Sequence, residues 1–238
     1  MNKKSILFLM AAMIMTGCSP SSVNKDGMNP TAQTSESERS TEDKTTIHPQ
    51  TAPIRSIRLD VPQILQETNY YCGVACLQMV LAYHGIEESQ DVLAAALHTH
   101  PVTGTEYEDL AREASTYIFG RVPEDDSQPG YRAFKWNRNQ GTEQTKEQFF
   151  SRTNTDLRSE DPVFISLNPS MVYEEGADAV HILVLYGADF DEEGSATHYY
   201  CIDPYGKYQD AIYGGKKVFT ADELWNAMNN NPEPGYVW

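Results

Sequence analysis

Tyr71-Cys72-Gly73-Val74-Ala75-Cys76-Leu77-Gln78-Met79-Val80-Leu81-Ala82-Tyr83-His84-Gly85 is the stretch whose reading decides the fold. From Cys72 to His84 it contains no proline, and apolar residues recur at Val74, Leu77 and Leu81 and at Cys76, Val80 and Tyr83. Gly85 follows as a residue favoured just past a helix end. The spacing predicts a buried helix of about three and a half turns with Cys72 in its first turn. Unpaired N–H groups and the positive end of the helix dipole stabilise a thiolate there, so the position favours a reactive sulfur. Gly73 is expected to let a substrate backbone come close. Gln66, on the loop entering the helix, is placed to aim an amide donor at an oxyanion formed by attack of that sulfur. Cys76, one turn on, is expected to face the core, and His84 to complement the dipole at the helix C-terminus.

Outward from this helix, Ile57 to Pro62 alternates apolar and polar residues and predicts a short edge strand. Helices are expected over 89–97 and from Thr105 toward Ile118, the latter opened by a capping box of Thr105 and Glu108. Residues 120–141 hold Pro123, Pro129, Gly130 and Gly141 and predict irregular chain with at most a short strand around Tyr131 to Trp136. A helix is expected over 143–157, anchored by Phe149 and Phe150, and another over 221–228, packed through Leu224 and Trp225. Between them 163–167, 181–187, 198–202 and 217–219 are β-rich runs separated by Gly and Asp clusters. Helices first and strands afterwards indicate an α+β domain over 56–238, with no internal repeat.

The N-terminal region has a different character. Lys3 and Lys4 precede an apolar run from Ile6 to Met15 that ends in Met15-Thr16-Gly17-Cys18, so residues 1–17 read as an export signal. The run is too short to span a bilayer. A small-residue pair before a cysteine resembles the bacterial lipoprotein signal, which implies that Cys18 carries lipid. From 18 to 55 the composition is Ser/Thr-rich with no aromatic residue, and predicts a disordered tether reaching about 30–35 Å. These features predict an exported chain held at the cell membrane by its lipid alone, with the domain outside the cytoplasm. Removing residues 1–17 deletes Lys3 and Lys4 and leaves 16 basic against 34 acidic residues, a net charge of −18. Such a surface repels phosphate backbones and anionic headgroups, which excludes nucleic acid and a membrane-binding face as partners and favours neutral or basic ones. With Cys18 set aside, Cys72, Cys76 and Cys201 remain, an odd number that leaves at least one free thiol.

Val61-Pro62, Gln66, Tyr71 to Ala75, Met79-Val80-Leu81 and Tyr83-His84-Gly85 together resemble the catalytic opening of papain-like cysteine peptidases, similar to the double-glycine leader peptidases of bacteriocin export. Asp161 to Ser166 resembles the strand before the active histidine, His181 to Gly187 the histidine strand, and Asp203-Pro204-Tyr205-Gly206 the acidic orienter. The resemblance implies a papain-like fold in which the Cys72 helix packs on an antiparallel sheet. It implies Cys72 as nucleophile, His181 as general base, Asp203 as the residue that fixes the imidazole, and Gln66 in the oxyanion site. His181 at the start of one strand and Asp203 at the end of the next become neighbours if 188–197 forms a hairpin. Val74 stands where the family more often has proline.

The implied activity is thiol hydrolysis of peptide or isopeptide bonds through an acyl-enzyme, with a peptide or protein as substrate and no cofactor. Two alternatives stay open: a binding module on an inactivated scaffold, and acyl transfer of the transglutaminase kind. No metal site is expected, since His98, His100 and Glu106 sit in a Pro- and Gly-bounded loop. Asp189 to Gly194 echoes half a calcium loop but has Tyr200 where the bidentate glutamate belongs, and predicts an acidic hairpin tip.

Overall fold

The computed structural model describes residues 55–238. The expected signal run, Cys18 and nearly all of the expected tether lie outside the described residues. In chain order the elements are β1 (Ser56–Arg58), α1 (Cys72–Tyr83), α2 (Gln90–Ala96), α3 (Tyr107–Phe119), β2 (Ala133–Lys135), α4 (Glu143–Arg158), β3 (Val163–Leu167), β4 (His181–Phe190), β5 (Ala196–Ile202), β6 (Lys216–Thr220), α5 (Ala221–Asn229) and β7 (Gly235–Val237). Among them no helix is long and apolar enough to cross a membrane.

The strands form one antiparallel sheet in the order β2-β7-β3-β4-β5-β6, and β1 also pairs with β4. Strand β4 is its axis: His181 to Leu185 pair with β3, whereas Gly187 to Asp189 pair with β1. That second pairing helps explain why β4 runs three residues past the expected 181–187; β1, paired on one side only, is the expected edge strand, but it covers Ser56–Arg58 and does not reach Pro62.

Helix α1 lies against β4, with Gly73 to Leu77 and Met79 to Leu81 all buried. Fully burying side chains such as Leu77, Met79 and Leu81, each at 0% exposure, contributes roughly 1.5–3 kcal/mol apiece. A Cβ on Gly73 would come within 3.2 Å of Ile182 Cδ1, so Ile182 points toward α1. On α4, Phe149 packs edge-on to Tyr236, which shares a row with Ile165 and Leu183. Successive strand residues point to opposite faces, so α1 and α4 cover opposite sides of the sheet.

Three expectations need correction. Helix α3 starts at Tyr107 with Glu106 as its N-cap and no side-chain cap, so Thr105 and Glu108 form no capping box. The buried Thr105 hydroxyl hydrogen-bonds Thr99 Oγ1 at 2.8 Å instead. The sequence reading also missed β7, whose three residues join β2 to β3. Finally, Gly73 does not open space for a substrate: a Cβ there would lie 2.9 Å from Thr105 Cβ, and it is Thr105 and Ile182 that fill the position.

Candidate active site

Helix α1 begins at Cys72 behind the N-cap Tyr71, which supplies no side-chain cap and leaves the first-turn N–H groups without that partner. His181 opens β4 and is 6% exposed, and Asp203, just past the end of β5, is 1% exposed. The β4–β5 hairpin brings them together with a turn over 191–195, tighter than the expected 188–197. His181 Nε2 and Asp203 Oδ1 are 2.8 Å apart. That contact leaves Nδ1 as the imidazole's free nitrogen, and the ring is the side-chain hydrogen-bond partner of the Cys72 thiol. His181 and Asp203 are therefore in direct contact, and the Cys72 thiol is near enough to the imidazole for each to shift the pKa of the other.

The electrostatics follow from the contacts. Burial raises the pKa of Cys72, but the hydrogen bond and charge of His181 and backbone hydrogen bonds at Ile182 and Gly73 outweigh it, leaving the thiol below its ordinary value. Burial pulls His181 down, yet the charge and hydrogen bond of Asp203, helped by Cys72, push it up to about 10. Both shifts favour an imidazolium–thiolate pair. The other two thiols differ. Burial, with the charges of Cys72 and Asp203, raises Cys76 far above the usual thiol range, and burial next to Asp203 raises Cys201. Cys76 Sγ donates to Ile182 O at 3.2 Å and faces the core, as its spacing predicts.

Gln66 sits on the loop before α1. Its backbone N–H donates to Pro204 O at 2.9 Å, tying this loop to the residue after Asp203. Its side-chain Nε2 donates to Thr68 O at 2.7 Å. An amide nitrogen carries two hydrogens, so one remains for another acceptor. Gln90, 1% exposed, pins both neighbours of Gln66: its Oε1 accepts from Glu67 N at 2.9 Å and its Nε2 donates to Leu65 O at 2.8 Å. A lone glutamine at the start of α2 carried no sequence signal for this role.

Tyr173 is the second residue the sequence reading missed. Its hydroxyl donates to Asp203 Oδ2 at 2.5 Å, while the Tyr205 N–H donates to Oδ1 at 2.8 Å. Among the described residues no group of three or more His, Cys, Asp or Glu is arranged to hold a metal ion. His98 Nδ1 lies 3.6 Å from Asp109, and His100 Nδ1 accepts from Val102 N at 3.2 Å.

Residues 58–232 match the Peptidase_C39 like family. Among solved structures, the chain is similar to a double glycine motif protease from an AMS/PCAT transporter in complex with its leader peptide, at 17% identity and a TM-score of 0.43, covering 77% of this chain and 96% of that one. It is similar to the peptidase domain of Streptococcus ComA at 14% identity and a TM-score of 0.44, covering 74% and 94%. A C39-like peptidase from Bacillus anthracis matches at 14% identity and a TM-score of 0.46, covering 76% and 96%. No curated protein matches the sequence.

Proposed function

The chain belongs to the Peptidase_C39 like family, and from that premise we propose that it is an active thiol hydrolase that cleaves peptide or isopeptide bonds with Cys72 as nucleophile. The observation that carries this reading is the buried 2.8 Å contact between His181 and Asp203 beside Cys72 at the head of α1, with the thiol shifted down and the imidazole shifted up.

The Cys72 thiolate attacks the carbonyl carbon, and the developing oxyanion takes the remaining Gln66 Nε2 hydrogen and a backbone N–H at the head of α1. The imidazolium Nδ1–H of His181 protonates the leaving amine as the C–N bond breaks, giving a thioester and neutral histidine. His181 then takes a proton from water, which attacks the thioester. Collapse of that second intermediate releases the acid and regenerates the ion pair. Asp203 holds Nε2–H throughout, which keeps Nδ1 facing the sulfur.

We further propose that the chain is exported, that Cys18 carries lipid, and that residues 18–55 tether the domain outside the cytoplasm. The Lys3–Cys18 pattern supports this reading.

Iodoacetamide labelling of the native full chain, mapped by peptide mass, tests the proposal. Cys72 is expected to label at least about a hundredfold faster than Cys76 or Cys201 near pH 6.5, because only its thiolate is favoured. Equal labelling of the three thiols would sink the proposal. Gln66→Ala is expected to lower kcat on an activated peptide ester about 10²–10³-fold without changing Cys72 labelling.

A further inference from the structure

The segment between β3 and β4, Asn168 to Val180, carries no periodic sequence signal, yet it is tightly built. Asn168, 1% exposed, donates through Nδ2 to Asp178 Oδ1 at 2.7 Å and to Asn230 O at 3.1 Å, and its Oδ1 accepts from the backbone and hydroxyl of Ser170. Arg138 reaches Asp178 with two guanidinium nitrogens, at 3.0 and 2.7 Å. A Cβ on Gly176 would lie 2.1 Å from Pro169 O, so the segment closes on itself where only glycine fits. The single turn Pro169–Met171 leads out of this knot to Tyr173.

The Tyr173 ring stacks on Tyr208 with centroids 4.0 Å apart and planes 15° from parallel. Tyr208 belongs to the turn Gly206–Tyr208, which follows Asp203. Lys217, from β6, donates to the Tyr208 carbonyl. The Tyr173 phenol is thus held from two sides and directed at Asp203 Oδ2. Burial and the adjoining carboxylate drive its pKa far up, so it stays a protonated donor. Oδ1 of Asp203 takes both His181 and the Tyr205 amide, while Oδ2 has Tyr173 as its side-chain donor.

We infer that Tyr173 is a positioning residue: its hydroxyl fixes the rotation of the Asp203 carboxylate about Cβ–Cγ, and through it the orientation and charge of His181 and the reactivity of Cys72. The inference rests on the thiol chemistry proposed above. A buried carboxylate oxygen without its donor is costly, and the carboxylate turns to find another. Turning carries Oδ1 off the imidazole, so the imidazolium loses its counter-charge and the thiolate loses its partner.

The test is the pH dependence of Cys72 alkylation by iodoacetamide in full-length wild type and Tyr173→Phe, read beside near-ultraviolet circular dichroism and thermal midpoint. The phenylalanine keeps the ring stack and removes only the hydroxyl. The expected result is a rise of about one unit in the apparent thiol pKa, read as about a tenfold lower alkylation rate below pH 6, with the folded signal retained. An unchanged profile in a folded Tyr173→Phe protein overturns the inference. Should that variant not fold, Tyr208→Leu removes the stack and leaves the phenol. It is expected to give a smaller shift of the same sign, and an unchanged profile there overturns the inference as well. Failure of wild-type Cys72 to react at low pH would instead strike the underlying thiol reading, so the two failures are separable.

Discussion

Helix α1 has a histidine near each end, and the two are driven in opposite directions. At the N-terminal end His181 sits in direct contact with Asp203 and is pushed up to about 10 although burial opposes it. At the C-terminal end the helix cap His84 lies in the field of Asp161, yet burial wins and its pKa falls below 6.5. Its Nε2 is buried without a hydrogen-bond partner among the described residues. Burial alone makes an imidazole neutral; a hydrogen bond to a buried, fully ligated carboxylate reverses the sign. His84 caps the C-terminal end of α1, where the sequence places it, and is the less basic of the two histidines. The carboxylates at that end respond in kind. Burial, then the charge of Asp161, raises Asp156 to about 7 against the pull of Arg152 and Arg132, and burial raises Asp161 despite His84.

The largest test of this contrast is His181→Ala. Without the imidazolium, burial is the leading influence on Cys72, and the thiol pKa returns to the ordinary thiol range or above. Alkylation of Cys72 at pH 6 is expected to fall at least about a hundredfold. A fall of less than threefold would mean that the helix N-terminus alone activates the sulfur.

Stability gives the next largest effect, and its sign differs between groups. His181 binds its proton more tightly when folded, so its contribution is complete below about pH 6.5 and lost as pH rises through about 10. Asp156 is also raised when folded, so it favours the fold at acid pH and costs stability as pH climbs from about 4 through 7. His84 is lowered, so its cost appears as pH falls below 6.5. Asp156→Asn is accordingly expected to stabilise the protein by ~1–2 kcal/mol at pH 8 and by almost nothing at pH 4, measured by urea unfolding. Equal effects at both pH values would remove the burial argument for that end of α1.

The smallest effect is expected for His84→Gln, which should change the Cys72 alkylation rate by less than about twofold and flatten the stability loss below pH 6.5. A tenfold change in alkylation would show that the two ends communicate and that the contrast is false.

The same contrast separates what was legible in the sequence from what was not. Cys72 stood out in the sequence as the head of an unbroken buried helix, whereas the roles of His181 and Asp203 came from the resemblance of the segments around them to papain-like peptidases. The residues that orient them had neither signal. Tyr173 and Gln90 act through hydrogen bonds to groups 30 and 23–25 positions away, and such contacts leave no local pattern. Strand β7 was hidden for the same reason: three residues behind Pro232 and Pro234 carry no alternation, and only pairing with β2 and β3 makes them a strand. At Gly73 the residue type was read correctly as special, but its neighbour is Thr105, a packing partner 32 positions on, and not a substrate. Periodicity reports which face is buried; it does not report what the buried face meets.

The most direct measurement is intact-mass analysis of the full chain after incubation with a peptide bearing a carbonyl-directed electrophile, followed by mapping of the modified residue. The expected result is a single adduct on Cys72 that forms in the wild type and not in His181→Ala. No adduct, an adduct on Cys76 or Cys201, or an adduct on Cys72 that forms equally fast without His181 would contradict it.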